Sequence, residues 1–365
     1  MLRIGSRPVP VVGRARMYVC GITPYDTTHL GHAATFVWAD VAARVLRHLG
    51  VEVEVCRNVT DVDDVLDAAA ARAGERFDSF AAVQQFRFDR DMTALGVRRP
   101  THEPRAHNHV LQVVTLAAAL LDTGAAYERG GTVWFPGAGV PERAGLDAER
   151  AGELAREFGH VDDAGAEHPA DVPVWRAAGR GEAAWPSPWG DGRPGWHAEC
   201  AAMALTTFGP ALDLHAGGAD LRFPHHAYEA AMAEAVTGVR PFARAWLHVG
   251  TVEFDGAKMA KSTGNLVLVT DVLATHPAAA LRLLLLDRPW ARPWEFRPAD
   301  LDAAAGRLER LYAAASRGAG DGGPGAASAA VTAALLDDLD VPRALAVAEE
   351  EGGEAARLAL SVLNL

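Results

Sequence analysis

Cys20, Cys200, His225 and Glu229 have the side-chain types of a soft-metal site. Thiolate, neutral imidazole and carboxylate are the usual donors to zinc. His225 and Glu229 are four apart, so a helix there puts both on one face. The spacing is not that of a zinc finger, and two buried cysteines, a core histidine and a surface glutamate would give the same pattern. A second set could hold anions. His29 and His32 are three apart at a predicted helix start, where unpaired amides and the dipole attract negative charge. Lys258 and Lys261 stand on a predicted loop; such a pair is also ordinary solvated charge. In one cleft, the two sets would grip a thiolate at one end and a nucleotide triphosphate at the other.

The elements that must position them follow from patterning. Residues 17–19 read as a short apolar strand ending at Cys20, before a turn rich in Gly, Thr, Pro and Asp. Val37, Val41, Val45 and Leu49 recur at the step of a buried helix face, with Thr27 and Thr28 as candidate caps. Residues 51–55 read as the next strand. Beyond it, Asn58 and Thr60 could hydrogen-bond a ligand, while Asp61, Asp63 and Asp64 suit capping of the following helix. Strand, helix, strand with polar residues at the strand ends predicts an α/β fold on a parallel doubly wound sheet. Residues from about 65 to 125 read as helical, 126–136 as a strand, and 137–190 as an irregular insertion. A helix follows Gly195-Trp196-His197-Ala198-Glu199-Cys200, residues 212–215 form a strand, and Phe223-Pro224-His225-His226 opens another helix. The chain is helical from Thr270, with a flexible linker at 316–328 and a last helical stretch at 331–363.

Bulk properties narrow the function. A chain of 365 residues, 49% apolar and 22% charged, is a globular protein with a sizeable core. Its net charge of −12 opposes a broad nucleic-acid surface. Three cysteines are too few for a disulfide framework and suit a reducing cytoplasm. The N-terminus lacks a signal-peptide core and no apolar run reaches membrane-spanning length, so a cytoplasmic protein without membrane contact is expected.

His29-Leu30-Gly31-His32 resembles the HIGH signature of class I aminoacyl-tRNA synthetases, and Lys258-Met259-Ala260-Lys261-Ser262 resembles their KMSKS signature with Ala for the first Ser. With YVCGIT, NVTDVDD, GRPGWHAECAAMAL and the GGAD and FPHH runs, the ordered set resembles the cysteinyl-tRNA synthetase family, which includes the cysteine ligase of mycothiol biosynthesis. The resemblance covers nearly the whole chain. It implies a class I Rossmann-like parallel sheet with an insertion and a C-terminal helical domain. It divides the chain into a catalytic domain at 1–265 (insertion about 95–190), a connecting helical region at 266–300 and a helical domain at 301–365. It implies one Zn2+ held by Cys20, Cys200 and His225, with Glu229 where the synthetases have a fourth ligand, and ATP with Mg2+ as substrate. It matches His29, His32, Lys258 and Lys261 to catalysis. It matches Cys20, Gly21, Ile22, Thr23, Thr35, Asn58, Val59, Thr60, Trp196, Gly218, Ala219, Asp220 and Val252 to positions around a cysteinyl adenylate.

CGITPYD followed by THLGHAATF is closer to the mycothiol ligases than to the synthetases. The chain also runs only about a hundred residues past KMAKS, short of an anticodon-binding domain, and ends in SVLNL as that ligase does. The expected partners are therefore L-cysteine, ATP and glucosaminyl-inositol, with no tRNA and a monomeric state. Two features depart from that relative: Glu157-Phe158-Gly159-His160-Val161-Asp162 replaces its ERGGDP element, and Glu229 is of the synthetase type. The rival readings are a cysteinyl-tRNA ligase lacking the anticodon domain, a cysteine-activating paralogue with another amine acceptor, and a non-catalytic binder of cysteine or nucleotide. A hydrolase is disfavoured because the chain has no nucleophile elbow.

Overall fold

The computed structural model describes residues 1–5, 7–25, 27–157, 165–180, 182–260, 263–317 and 324–365. Its centre is a four-stranded, all-parallel sheet. In chain order the strands and helices that matter here are β1 (Arg14–Ile22), α1 (Leu30–His48), β2 (Glu52–Val59), α2 (Trp196–Phe208), β3 (Leu212–Gly218), α3 (His225–Thr237) and β4 (Ala243–Val249). The spatial order is β4-β3-β1-β2, with Tyr18 opposite both Cys56 and His215. Residues 102–105 extend the sheet beyond β2 through parallel bridges at His102 and Arg105. From β1 the connection runs to β2 on one side, while β3 lies on the other. The crevice between the carboxyl ends of β1 and β3 is thus a topological switch point, where ligands bind in such sheets.

The α1 periodicity holds for Val37, Val41 and Val45, which are buried, but Leu49 is the exposed C-cap. Neither Thr27 nor Thr28 caps the helix. The N-cap is His29, whose Nδ1 accepts from Gly31 N at 3.1 Å. The physical reason is a β-bridge between His29 and Leu268, in which Leu30 N donates to Val267 O and Val269 N to Thr28 O. That bridge commits the backbone before His29 to the segment following KMAKS. Asp63 caps the helix Asp64–Ala73 as expected, through Val65 N and Leu66 N. Asp61 does not cap it; it is buried and paired with Arg105 and His107.

The single strand expected at 126–136 is a hairpin, Tyr127–Arg129 and Thr132–Phe135, turning on Gly130 and Gly131 at φ 65° and 82°. Positive φ at both turn residues suits glycine. The hairpin continues into a four-stranded antiparallel sheet with Val172–Ala177 and Gly192–Pro194. The region expected to be irregular therefore carries a strand, with Trp175 fully buried, because its apolar residues cover the helices Val110–Asp122 and α2. Residues 158–164, which include most of the ERGGDP counterpart, lie outside the described residues.

Helices Pro298–Ala315, Pro324–Leu336, Val341–Glu351 and Gly353–Leu363 pack together, and the last also rests on α1. The expected linker is shorter than 316–328, because helix begins at Pro324. Proline at the first turn and an alanine-rich sequence both favour that start. Residues 318–323 of the linker lie outside the described residues.

One buried cation ties this bundle to the sheet. Arg282, on the helix Ala278–Leu286, donates from Nε to Leu363 O (2.6 Å), from Nη1 to Leu95 O (3.0 Å) and from Nη2 to Asp40 Oδ2 of α1 (2.6 Å). Burial lowers the Arg282 pKa, against the pull of Asp40. Losing the guanidinium breaks the buried pair, leaving Asp40 to Arg44 Nε and Arg98 N, and takes this donor from the Leu95 and Leu363 carbonyls. Arg282→Ala should therefore cost about 3–5 kcal/mol, read as a lower midpoint in chemical denaturation.

Candidate active site and metal centre

The crevice at the switch point is a cleft of ≈ 330 Å³, within the size range of small-molecule sites. Its near wall is the end of β1. Gly21 N donates to Asn58 Oδ1 at 2.9 Å, Thr60 N to Ile22 O at 2.9 Å, and Asn58 Nδ2 to Thr60 Oγ1 at 3.1 Å. These bonds lace the ends of β1 and β2 together. A Cβ at Gly21 would stand 1.6 Å from Asn58 O, so only glycine fits there. The cleft is also lined by Cys20, Thr23, His29, His32, Thr35, Trp196, Cys200, Gly218, Asp220, His225, Val252 and Lys258. Val59, Ala219 and Glu229 do not line it, and Lys261 lies outside the described residues.

At one end the rings of the signature histidines meet at a tilt of 34°, with centroids 3.9 Å apart. Burial, and then the nearby Lys258 ammonium, push His32 down to about 4, so it is neutral at pH 7 and acts as a hydrogen-bonding group. Lys258 Nζ donates to Asp220 Oδ2 at 2.6 Å across the cleft mouth. The ammonium is half exposed, so this pair exchanges readily for another anion.

At the other end Cys20, Cys200 and His225 offer donor atoms within 4.8 Å of one another, all from buried residues. His225 stacks on Trp196 at 4.2 Å and meets His197, Nδ1 to Nδ1, at 3.0 Å. A hydrogen bond from Cys20, followed by the proximity of His225, pulls the Cys200 thiol down to about 6 in spite of burial; burial pushes Cys20 up. The Cys20 thiol thus donates a hydrogen bond to the Cys200 thiolate. Two sulfurs and an imidazole at this spacing suit a soft divalent ion and leave a fourth tetrahedral position for a ligand.

Glu229 is not with that triad. It is fully buried, with both oxygens 3.0 Å from His215 Nε2 and Oε2 3.9 Å from Cys20 Sγ. Cys20, His215, His226 and Glu229 form a second close group, so Cys20 belongs to both. Burial raises the Glu229 pKa well above the carboxylate range. The alternative of a surface glutamate is excluded by its burial.

The histidines behind the triad were not singled out from the sequence. His226 reaches Cys20 Sγ with Nε2 at 3.2 Å and His248 Nε2 with Nδ1 at 2.9 Å. His215 stacks on Trp246 at 4.6 Å. Burial takes His215 and His248 to about 3 and His226 well below its ordinary value, leaving a neutral imidazole layer. The available signal was positional: His248 falls at the carboxyl end of one parallel strand and His215 in the middle of its neighbour.

Comparison with known proteins fits this geometry. The fold is that of class I aminoacyl-tRNA synthetases. A Mycobacterium tuberculosis methionyl-tRNA synthetase in complex with methionyl-adenylate superposes with a TM-score of 0.66 at 16% identity, covering 96% of this chain and 88% of that one. An Agrobacterium radiobacter K84 leucyl-tRNA synthetase, in a ternary complex with tRNA, gives 0.67 at 11% identity, covering 98% and 83%. Residues 9–306 match the family described as tRNA synthetases class I (C) catalytic domain. A cysteine–tRNA ligase of Alkalilimnicola ehrlichii is 44% identical over 95% of this chain and 76% of its own length. An L-cysteine:1D-myo-inositol 2-amino-2-deoxy-alpha-D-glucopyranoside ligase of Acidothermus cellulolyticus is 43% identical over 94% and 87%. The chain belongs to this class I (C) synthetase family of ligase enzymes. Among the described residues no helix is long and apolar enough to cross a membrane.

The triad's composition makes a direct prediction. Cys20→Ala and Cys200→Ala should each lose bound divalent metal in elemental analysis of the purified protein. Cys56→Ala should retain it, because Cys56 belongs to neither donor group.

Proposed function

We propose that this chain activates L-cysteine with ATP·Mg2+ to cysteinyl adenylate and transfers the cysteinyl group to the amine of glucosaminyl-inositol, forming an amide and AMP. The observation that carries the activation step is the meeting, in one cleft, of the sulfur–imidazole triad with His29, His32 and Lys258. A thiol-bearing amino acid placed with its sulfur at the triad points its carboxylate toward the α-phosphate of a nucleotide held by the signature residues. The carboxylate attacks phosphorus and pyrophosphate leaves.

Cys20, Cys200 and His225 are the residues proposed to hold zinc. Glu229 is the carboxylate that could complete the set by leaving His215 for the Cys20 side. When bound, zinc supplies a borderline-soft position that prefers thiolate to hydroxyl, a basis for choosing cysteine over serine. Trp196 would wall the sulfur pocket through its stack on His225. Lys258 and Lys261 would neutralise the triphosphate, with His29 and neutral His32 as hydrogen-bonding partners; positioned charge is the main catalytic device in such transfers. Asp220, now paired with Lys258, becomes available to the nucleotide sugar once the ammonium turns to phosphate. Gly21, Ile22, Thr23, Thr35, Asn58, Val59, Thr60, Gly218, Ala219 and Val252 are assigned to the adenylate's surroundings. We assign the chemistry to residues 1–265 and a supporting role to the helices after them.

The amine acceptor is favoured by the CGITPYD–THLGHAATF pattern and the net charge of −12, which disfavours a polyanion. The second reading, cysteinyl transfer to tRNA, is supported by relatives of that name at equal identity. Incubation with cysteine, ATP and each acceptor, with products weighed by mass spectrometry, separates them. The expected product is cysteinyl-glucosaminyl-inositol; cysteinylated tRNA alone would reject the amine assignment. Pyrophosphate exchange should depend on cysteine and be weak with serine. Equal exchange with serine would refute the sulfur-based selection.

A further inference from the structure

Resting on the reading above, we propose that His107, oriented by Asp61, is the general base that takes the proton from the acceptor amine. Both residues stand at the carboxyl edge of the sheet. Val59 N donates to Pro104 O, and residues 102–105 run parallel to β2 before a single turn of helix at Ala106–Asn108. Asp61 follows Thr60, a residue of the cleft wall. The dyad therefore lies one step outside the cleft, at the end of the strand that bounds it.

Its geometry is that of an oriented imidazole. Asp61 Oδ2 is 2.5 Å from His107 Nδ1, and Oδ1 accepts from His107 N at 3.0 Å. A carboxylate so close requires the proton on Nδ1, which leaves Nε2 as the acceptor. The Asp61 side chain is 3% exposed and that of His107 37%, so a buried anion holds a solvent-facing ring. Arg105 Nη1, 3.3 Å from Asp61 Oδ2, fixes the carboxylate from a second side. Buried carboxylate, Nδ1–H and free Nε2 form the orienting half of a general-base arrangement.

The cleft's own imidazoles are otherwise engaged. His225 belongs to the sulfur triad, His29 uses Nδ1 on the helix cap, and the neutral His32 of the cleft wall is assigned to the phosphate end. The transfer needs a proton acceptor. The amine nitrogen bonds to the carbonyl carbon, the bond from that carbon to the phosphate oxygen breaks, and AMP leaves with the electron pair. The proton shed by nitrogen goes to His107 Nε2.

The test compares the full-length wild type, His107→Asn and His107→Gly in single-turnover transfer from preformed cysteinyl adenylate to glucosaminyl-inositol and, in parallel, to tRNA. Pyrophosphate exchange is measured on the same preparations. The expected result is exchange unchanged within about twofold and transfer lowered by about a hundredfold in both variants, with added imidazole restoring part of the loss in His107→Gly only. Unchanged transfer, a loss that imidazole does not restore, or a parallel loss of exchange would each overturn the assignment. Wild-type transfer to tRNA alone would refute the amine reading, while the same comparison of variants on tRNA still decides the role of His107.

Discussion

Cys20 is the residue through which the two halves of the site are joined. It lies near the end of β1, the strand at which the sheet reverses its winding order, and it lines the crevice that this switch point opens. On one side it meets Cys200 and His225, on the other His215, His226 and Glu229. Helix α2 brings Cys200, α3 brings His225, His226 and Glu229, and β3 brings His215. A displacement of β1 would therefore dismantle the sulfur pocket and the anion end together, since α1 and its histidines follow directly from that strand.

Burial sets the chemistry of this region. A dry pocket disfavours charge, which explains why the imidazoles behind Cys20 are neutral and why the Glu229 carboxyl is pushed well above the carboxylate range. Within that layer Cys200 is the exception, since its thiolate is stabilised by the proton of Cys20. A divalent ion would reverse the balance, displacing thiol and carboxyl protons and converting a set of neutral groups into ligands. The surrounding neutral imidazoles then act as outer partners that hold ligand orientation. The Lys258–Asp220 pair at the mouth works on the opposite principle. It is partly solvated and weakly held, which suits groups that must change partners when a nucleotide arrives.

Much of the site was legible in the sequence where a motif carries its own local physics. His29 and His32, Lys258 to Ala260, and Asn58 with Thr60 reach the cleft because strand ends and helix starts place them there. The cap of α1 was not legible, because it depends on a β-bridge to Leu268 from far along the chain. Helix periodicity brought Glu229 to the face of His225 but could not show which partner its carboxylate would choose. The imidazole layer was hidden for a similar reason: His215, His226 and His248 come from three elements and become one group only through parallel pairing. The strand at Val172–Ala177 was masked by the Gly- and Pro-rich sequence around it.

The central claim is that a metal held by Cys20, Cys200 and His225 takes the substrate's sulfur as its next ligand. X-ray absorption at the metal edge, on zinc-loaded protein before and after addition of L-cysteine, reads that coordination directly. The account expects two sulfur neighbours from Cys20 and Cys200 in the free protein, and one more on adding cysteine. A sulfur shell that does not change with cysteine, or that contains no protein thiolate at the outset, would contradict it.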